Sequence, residues 1–135
     1  MILVDSSVLI DHFRGTINAQ TQQLERWLTG EDGPPDIGVA DLVIFEVDRG
    51  FSTASAQARV RDLLLNLDVV EIGGLDNALQ AATLYQRLRQ SGRTVHSPID
   101  VLLASYCMTH GHTLLHRDAD FESLKTLGGL ETWPQ

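Results

Sequence analysis

Four acidic residues in this chain stand where carboxylates are costly. Asp5 closes the apolar run Ile2-Leu3-Val4 and is followed by two hydroxyl residues, Ser6 and Ser7, before Val8-Leu9-Ile10 resumes the pattern. Glu46 lies inside Leu42-Val43-Ile44-Phe45-Glu46-Val47, a segment apolar on almost every side. Asp100 follows Ser97-Pro98-Ile99, and Asp118 comes just after Thr113-Leu114-Leu115. An ionised carboxylate withdrawn from water is unfavourable unless a cation or hydrogen-bond donors meet it.

Each acid, taken singly, has a structural account. Asp5 and Asp118 suit the N-cap of a following helix. Ser97, Pro98 and Asp100 read as N-cap, N1 and N3 of a helix, the outline of a capping box. Glu46 has Arg49 three residues on along the same helix as a partner. Taken together, however, carboxylates gathered on one edge repel and raise one another's pKa, and a divalent cation removes that conflict. Oxygen-only ligation favours Mg2+ or Mn2+ over zinc, and none of the five histidines shows zinc spacing with a cysteine. Such a site works on phosphates: it orients a water, lowers its pKa and clamps the non-bridging oxygens of a phosphodiester. Arg117, beside Asp118, is placed to neutralise phosphate charge. Arg87, Arg89 and Arg93 offer either a groove rim or a solvated helix face.

The elements that must carry these residues follow from apolar period and punctuation. Residues 2–4, 37–40, 68–72 and 113–115 read as short strands, and 130–133 as an edge strand. Helices are expected from Ser6 or Ser7 to a break near Gly15, through Leu24, Trp27 and Leu28 to Gly30, and over 41–50 and 54–67. Further helices run from near Asp76 to Gly92 with Ala81, Leu84, Tyr85 and Leu88 inward, and over 97–111 with Ile99, Leu102, Leu103 and Tyr106 in register. A last short one covers 118–127, and residues 31–36 are a loop by composition. Strands alternating with helices predict an α/β domain, a central parallel sheet of four to five strands flanked by helices on both faces. In such sheets the binding crevice lies at the carboxyl ends of the strands, where Asp5 and Asp118 fall.

Composition bounds the function. At 135 residues the length predicts one domain over 1–135. Ten Lys and Arg against eighteen Asp and Glu give a net charge of −8, which argues against nucleic-acid or membrane binding driven by the overall field, though not against a local basic rim. The single cysteine, Cys107, excludes an internal disulfide, fits a reducing compartment and reads best as a small buried hydrophobe. No apolar run approaches the ~20 residues that span a bilayer, and no basic region precedes the first apolar stretch. A cytoplasmic protein is expected.

The motifs in order resemble those of PIN-domain nucleases. Residues 4–11, VDSSVLID, resemble the opening strand and acid of that family; FEVDRG, around Glu46, resembles the segment of its second acid. Residues 91–121, ending in D-x-D-F, resemble the stretch with the third and fourth. Spacing and size are similar to the VapC toxins of toxin–antitoxin pairs, over essentially the whole chain. The resemblance implies a PIN-like fold and a Mg2+- or Mn2+-dependent endoribonuclease acting on structured RNA such as tRNA or rRNA. It implies a homodimer silenced by a cognate VapB-like antitoxin, which an acidic pocket invites to insert an arginine. By motif position Asp5 and Asp100 are the principal metal ligands and Glu46 and Asp118 complete the pocket. Asp120 is a further outer member or a helix first-turn acid, and Ser7 supports Asp5. The family often has Thr or Ser where this chain has His116, which either contacts substrate or marks the strand's end. Two rivals remain: a catalytically silent PIN-fold binding module, and a phosphoacceptor receiver domain. The receiver needs a lysine at a strand end, and the one lysine, Lys125, falls in the last predicted helix.

Overall fold

Three short apolar runs form the centre of the molecule: β1 (Ile2–Val4), β2 (Ile37–Ala40) and β4 (Thr113–Leu115). A computed structural model describes residues 1–31, 33, 36–94 and 97–134. With β3 (Asp68–Val70) and β5 (Thr132–Trp133) these runs form one sheet in the order β3-β2-β1-β4-β5, every neighbouring pair parallel. Ile2 pairs with Ile37 on one side and Thr113 on the other. Leu3, Val4, Val39, Ala40, Leu114 and Leu115 are fully buried, because a parallel sheet needs cover on both faces.

The cover comes from α1 (Ser6–Phe13), α2 (Ala19–Thr29), α3 (Asp41–Asp48), α4 (Ala54–Leu65), α5 (Leu75–Gln90), α6 (Pro98–His110) and α7 (Asp120–Gly128). The first four pack among themselves, as do the last three. From β1 the chain steps outward to β2 and β3, then returns past β1 to β4 and β5. Right-handed crossovers running in opposite directions put the two helix groups on opposite faces. The reversal makes the gap between β1 and β4 the topological switch point, where a crevice opens at the strands' carboxyl ends. Among the described residues no helix is long and apolar enough to cross a membrane.

The predicted α/β architecture is the one observed, with five strands. Four local expectations need correction. β3 ends at Val70, not at residue 72, because the Ile72 N–H turns to the Asp41 carboxylate at 3.0 Å instead of continuing a ladder. Tyr85 is not inward but 39% exposed, beside a groove between α5 and α6. On α6 the fully buried set is Asp100, Val101, Leu103, Ala104, Ser105 and Cys107, while Ile99, Leu102 and Tyr106 are only half-buried. That helix is packed against β4, α5 and α7 together, so burial covers a wide arc and carries an acid inside with it. The last helix starts at Asp120 rather than 118. The loop expected over 31–36 falls partly outside the described residues. Trp27 belongs to the core side, its ring 6.0 Å from that of Trp133 and edge-on.

Gly38, in β2, has little room for a side chain. A Cβ there would stand 2.5 Å from Met1 Sδ, 2.9 Å from Leu3 Cδ2 and 3.0 Å from the Asp68 carbonyl oxygen. Gly38→Val is expected to destabilise by about 1–3 kcal/mol, read from the urea midpoint; an unchanged midpoint would show that the strands part without cost.

Candidate functional site

The carboxyl edge of the β1–β4 pair is built from bonds between side chains and backbone N–H groups. Asp5 follows β1 and is the N-cap of α1: its Oδ2 accepts the Ser7 N–H at 3.1 Å and the Ser7 hydroxyl at 2.5 Å. The Ser7 Oγ in turn accepts the Arg117 N–H at 3.0 Å, joining the end of β1 to the end of β4 across 110 residues of sequence. On the β4 side the Asp118 N–H donates to His116 Nδ1 at 3.2 Å, and Asp118 Oδ1 accepts the Asp120 N–H at 2.9 Å.

The cap reading of Asp5 is therefore right as far as it goes, yet it uses one oxygen only. Asp5 is 2% exposed, and its Oδ1 is buried without any hydrogen-bond partner. Burial, with a smaller push from Glu46, raises its pKa to about 6 against the pull of the Ser7 bonds. Asp100 stands at N3 of α6, behind Ser97 at the N-cap and Pro98 at N1, but the Ser97 side chain makes no cap bond, so the capping box does not form. The Asp100 carboxyl is 5% exposed and its pKa is raised to about 8, first by burial and then by Asp5, Asp118, Glu46 and Asp120. Glu46 projects from α3. Burial is the main cause that raises its pKa, Asp118 adds to it, and the Ser6 side chain and Arg49 charge oppose it. Its Oε1 is buried and partnerless. Arg49 lies over the Phe45 ring, 5.2 Å from its centre, and acts on Glu46 through space.

All four predicted acids thus share one electrostatic neighbourhood. Among the described residues Asp100, Asp118 and Asp120 bring one carboxylate oxygen each to within 4.8 Å of one another; Asp5 and Glu46 are not part of that group. Asp120, read from the sequence as an outer member or a first-turn acid, belongs to that group. Arg117 does not turn into the acids: its guanidinium pairs with Asp11 at 3.5 Å. Arg87 and Arg93 reach the Leu127 and Ser123 carbonyl oxygens of α7, each at 3.4 Å, which ties α5 and its exit to α7. His116 is 8% exposed and packs on Phe121, 4.8 Å between ring centres; burial lowers its pKa. Cys107 is a buried thiol pushed up to about 12 by that burial, hence an inert core residue. Ser6 and Asp11 were not singled out from sequence. The Ser6 side chain lowers the Glu46 pKa against the effect of burial, and its signal in the sequence is the doubled serine after Asp5.

Two orphaned buried carboxylate oxygens, three converging carboxylates and an all-oxygen donor set fit a hard divalent cation such as Mg2+ or Mn2+. No lysine lies at a strand end, Lys125 being inside α7, so the receiver-domain arrangement is absent among the described residues. A parallel α/β domain with acids gathered at its switch point is suited to metal-assisted hydrolysis of a phosphodiester. The chain belongs to the PIN domain family, whose model matches residues 2–127. It is 28% identical over 131 residues to Ribonuclease VapC11 of Mycobacterium tuberculosis, covering 97% of this chain and 96% of that protein. The structure of VapBC2 from Rickettsia felis bound to a promoter DNA fragment is similar with a TM-score of 0.76 at 18% identity, over 98% of this chain and 97% of that one. VapC20 of Mycobacterium tuberculosis, described as a sarcin–ricin loop cleaving toxin, is similar with a TM-score of 0.70 at 17% identity, over 91% and 94%. These two likenesses establish the fold.

The raised carboxyls have a measurable consequence without metal. The ordinary value for Asp is 3.8, against about 6 for Asp5 and about 8 for Asp100 in the folded chain. Between those values the folded chain keeps protons that the unfolded chain has released, so stability falls as pH rises through this window and levels off above the upper value. In EDTA the melting temperature is expected to be higher at pH 5 than at pH 8, with Asp100→Asn removing most of the difference. The histidines with lowered pKa values act in the opposite sense, so the comparison with Asp100→Asn decides: the same pH dependence in wild type and variant would mean that the Asp100 carboxyl titrates normally.

Proposed function

We propose that this chain is a Mg2+- or Mn2+-dependent endoribonuclease toxin of the VapC type, acting in the cytoplasm on structured RNA, tRNA or rRNA. The observation that carries the reading is the set of desolvated carboxylates at the β1–β4 edge with two buried oxygens left unpaired. The family membership and the ribonuclease names of its relatives support it.

In this reading Asp5 and Asp100 are the principal ligands, Glu46 and Asp118 complete the pocket, and Asp120 joins them. A bound divalent cation supplies Lewis acidity toward water and the non-bridging phosphate oxygens. The chain's own part is preparation. Ser7 holds Asp5 Oδ2, so that Oδ1 is the oxygen left for the site. Asp100 releases its proton when the site loads, since a carboxyl must be ionised to ligate. The buried setting keeps bulk water from screening these charges.

A cognate VapB-like antitoxin is the proposed partner, its basic side chain neutralising the acidic edge in place of the cation. VapBC assemblies among the solved relatives support this. Dimerisation is proposed through the apolar surface of α5, where Leu75 is 74% and Leu79 62% exposed, next to Tyr85 and the groove against α6.

Two measurements check these statements. Purified, antitoxin-free protein is expected to cut total tRNA or rRNA at discrete sites with Mn2+, and to stop with EDTA. Asp5→Asn or Asp100→Asn is expected to lower the rate by more than about 100-fold, beyond what loss of an outer-shell partner costs a metal site. Undiminished cleavage by either variant would remove that residue from the site, and absence of any cleavage would leave a silent binding module. Separately, sedimentation of Leu79→Glu is expected to give a monomer where the wild type is a dimer; two equal sedimentation coefficients would place the interface elsewhere.

A further inference from the structure

The turn between β4 and α7 carries Asp118 and leads into Asp120, the first residue of α7; backbone bonds close its helix side, from the Phe121 N–H to the Asp118 carbonyl oxygen at 3.2 Å and from the Glu122 N–H to the Ala119 carbonyl oxygen at 3.0 Å. Three earlier N–H groups end on side chains: that of Arg117 on Ser7 Oγ, that of Asp118 on His116 Nδ1 and that of Asp120 on Asp118 Oδ1. Two of these bonds run from a side chain to the N–H two residues on, the pattern by which a polar side chain stands in for a backbone turn. The same pattern holds Asp5, whose Oδ2 takes the Ser7 N–H. An imidazole nitrogen that accepts a hydrogen bond carries no proton, so His116 is the tautomer with its hydrogen on Nε2. The ring cannot swing away. It is 8% exposed and lies 4.8 Å from the Phe121 ring, which is itself fully buried on the first turn of α7. His116 thus connects the strand end, the turn and the helix that follow one another through the acidic group.

We propose that His116 is a positioning residue: its Nδ1 fixes the β4–α7 turn so that the Asp118 and Asp120 carboxylates meet that of Asp100. The proposal rests on the reading of this edge as a divalent-cation site. Without the Nδ1 acceptor the half-buried Asp118 N–H loses its partner, which a structure does not leave uncompensated. The turn then rearranges and two of the three converging carboxylates move with it.

The test uses Mn2+ binding to the whole protein, followed by titration calorimetry and by the paramagnetic resonance signal of free Mn2+, with no RNA present. His116→Asn keeps an acceptor two bonds from Cβ, as Nδ1 is; His116→Gln moves it one bond further out; His116→Leu removes it. The Asn variant is expected to bind Mn2+ about as tightly as the wild type, while the Gln and Leu variants weaken about tenfold or more, the cost of a lost outer-shell partner. Melting of the metal-free proteins is measured alongside, because a histidine that served only packing would favour Leu over Asn there and would leave Asn without any rescue in Mn2+ affinity. A weakened Asn variant, or a Leu variant as tight as the wild type, overturns the proposal. A wild-type protein that binds no Mn2+ sinks the cation reading as well, and so separates the two failures.

Discussion

Like charges crowded into a desolvated edge are the constraint on which the rest of this structure depends. Asp5 and Asp100 are nearly inaccessible, Glu46 buries one oxygen, and Asp118 and Asp120 close on Asp100. A folded chain tolerates this only by holding protons, by supplying donors or by binding a cation. Among the described residues Ser7 satisfies one oxygen of Asp5, the Asp120 N–H satisfies one of Asp118, and Asp5 Oδ1 and Glu46 Oε1 are buried without a hydrogen-bond partner. Full satisfaction would have been within reach of a few more hydroxyl side chains.

The scaffold around the edge is correspondingly stiff where it must be. β1 and β4 are adjacent, short and buried on both faces, and Ser7 links their ends by accepting from Arg117 while donating to Asp5. Glu46 comes in on α3, whose far end is gripped by the Asp48–Arg61 pair at 2.7 Å, and Asp100 on the first turn of α6. Four separate elements thus converge on the switch point of the sheet. Helix-borne acids would drift with their helices, so the tight packing of α6 against α5, α7 and β4 is part of the site's geometry.

The overall negative charge fits this arrangement and constrains the partners. A net charge of −8 does not attract RNA by the overall field; under the proposed reading a divalent cation at the acidic edge would reverse the local sign, and a basic segment of a partner protein would suit the same edge. Arg117 pairs with Asp11 rather than with these acids.

Local features were legible in the sequence because they are encoded over a few residues. Strands at 2–4, 37–40 and 113–115 appear with the expected bounds, and the helix stops at Gly30 and Gly111 hold, both glycines adopting the left-handed conformation. The acids stood out because each broke an apolar run. What only the tertiary structure decided is which atoms meet. The bond from Arg117 to Ser7 spans 110 residues, and the strand order that allows it is visible in no local window. The same holds for the entry of Asp120 beside Asp100, the early end of β3 where Asp41 takes the Ile72 N–H, and the wide buried arc of α6. Period and punctuation report a residue's own element; convergence and desolvation depend on the elements packed against it, and these come from distant parts of the chain.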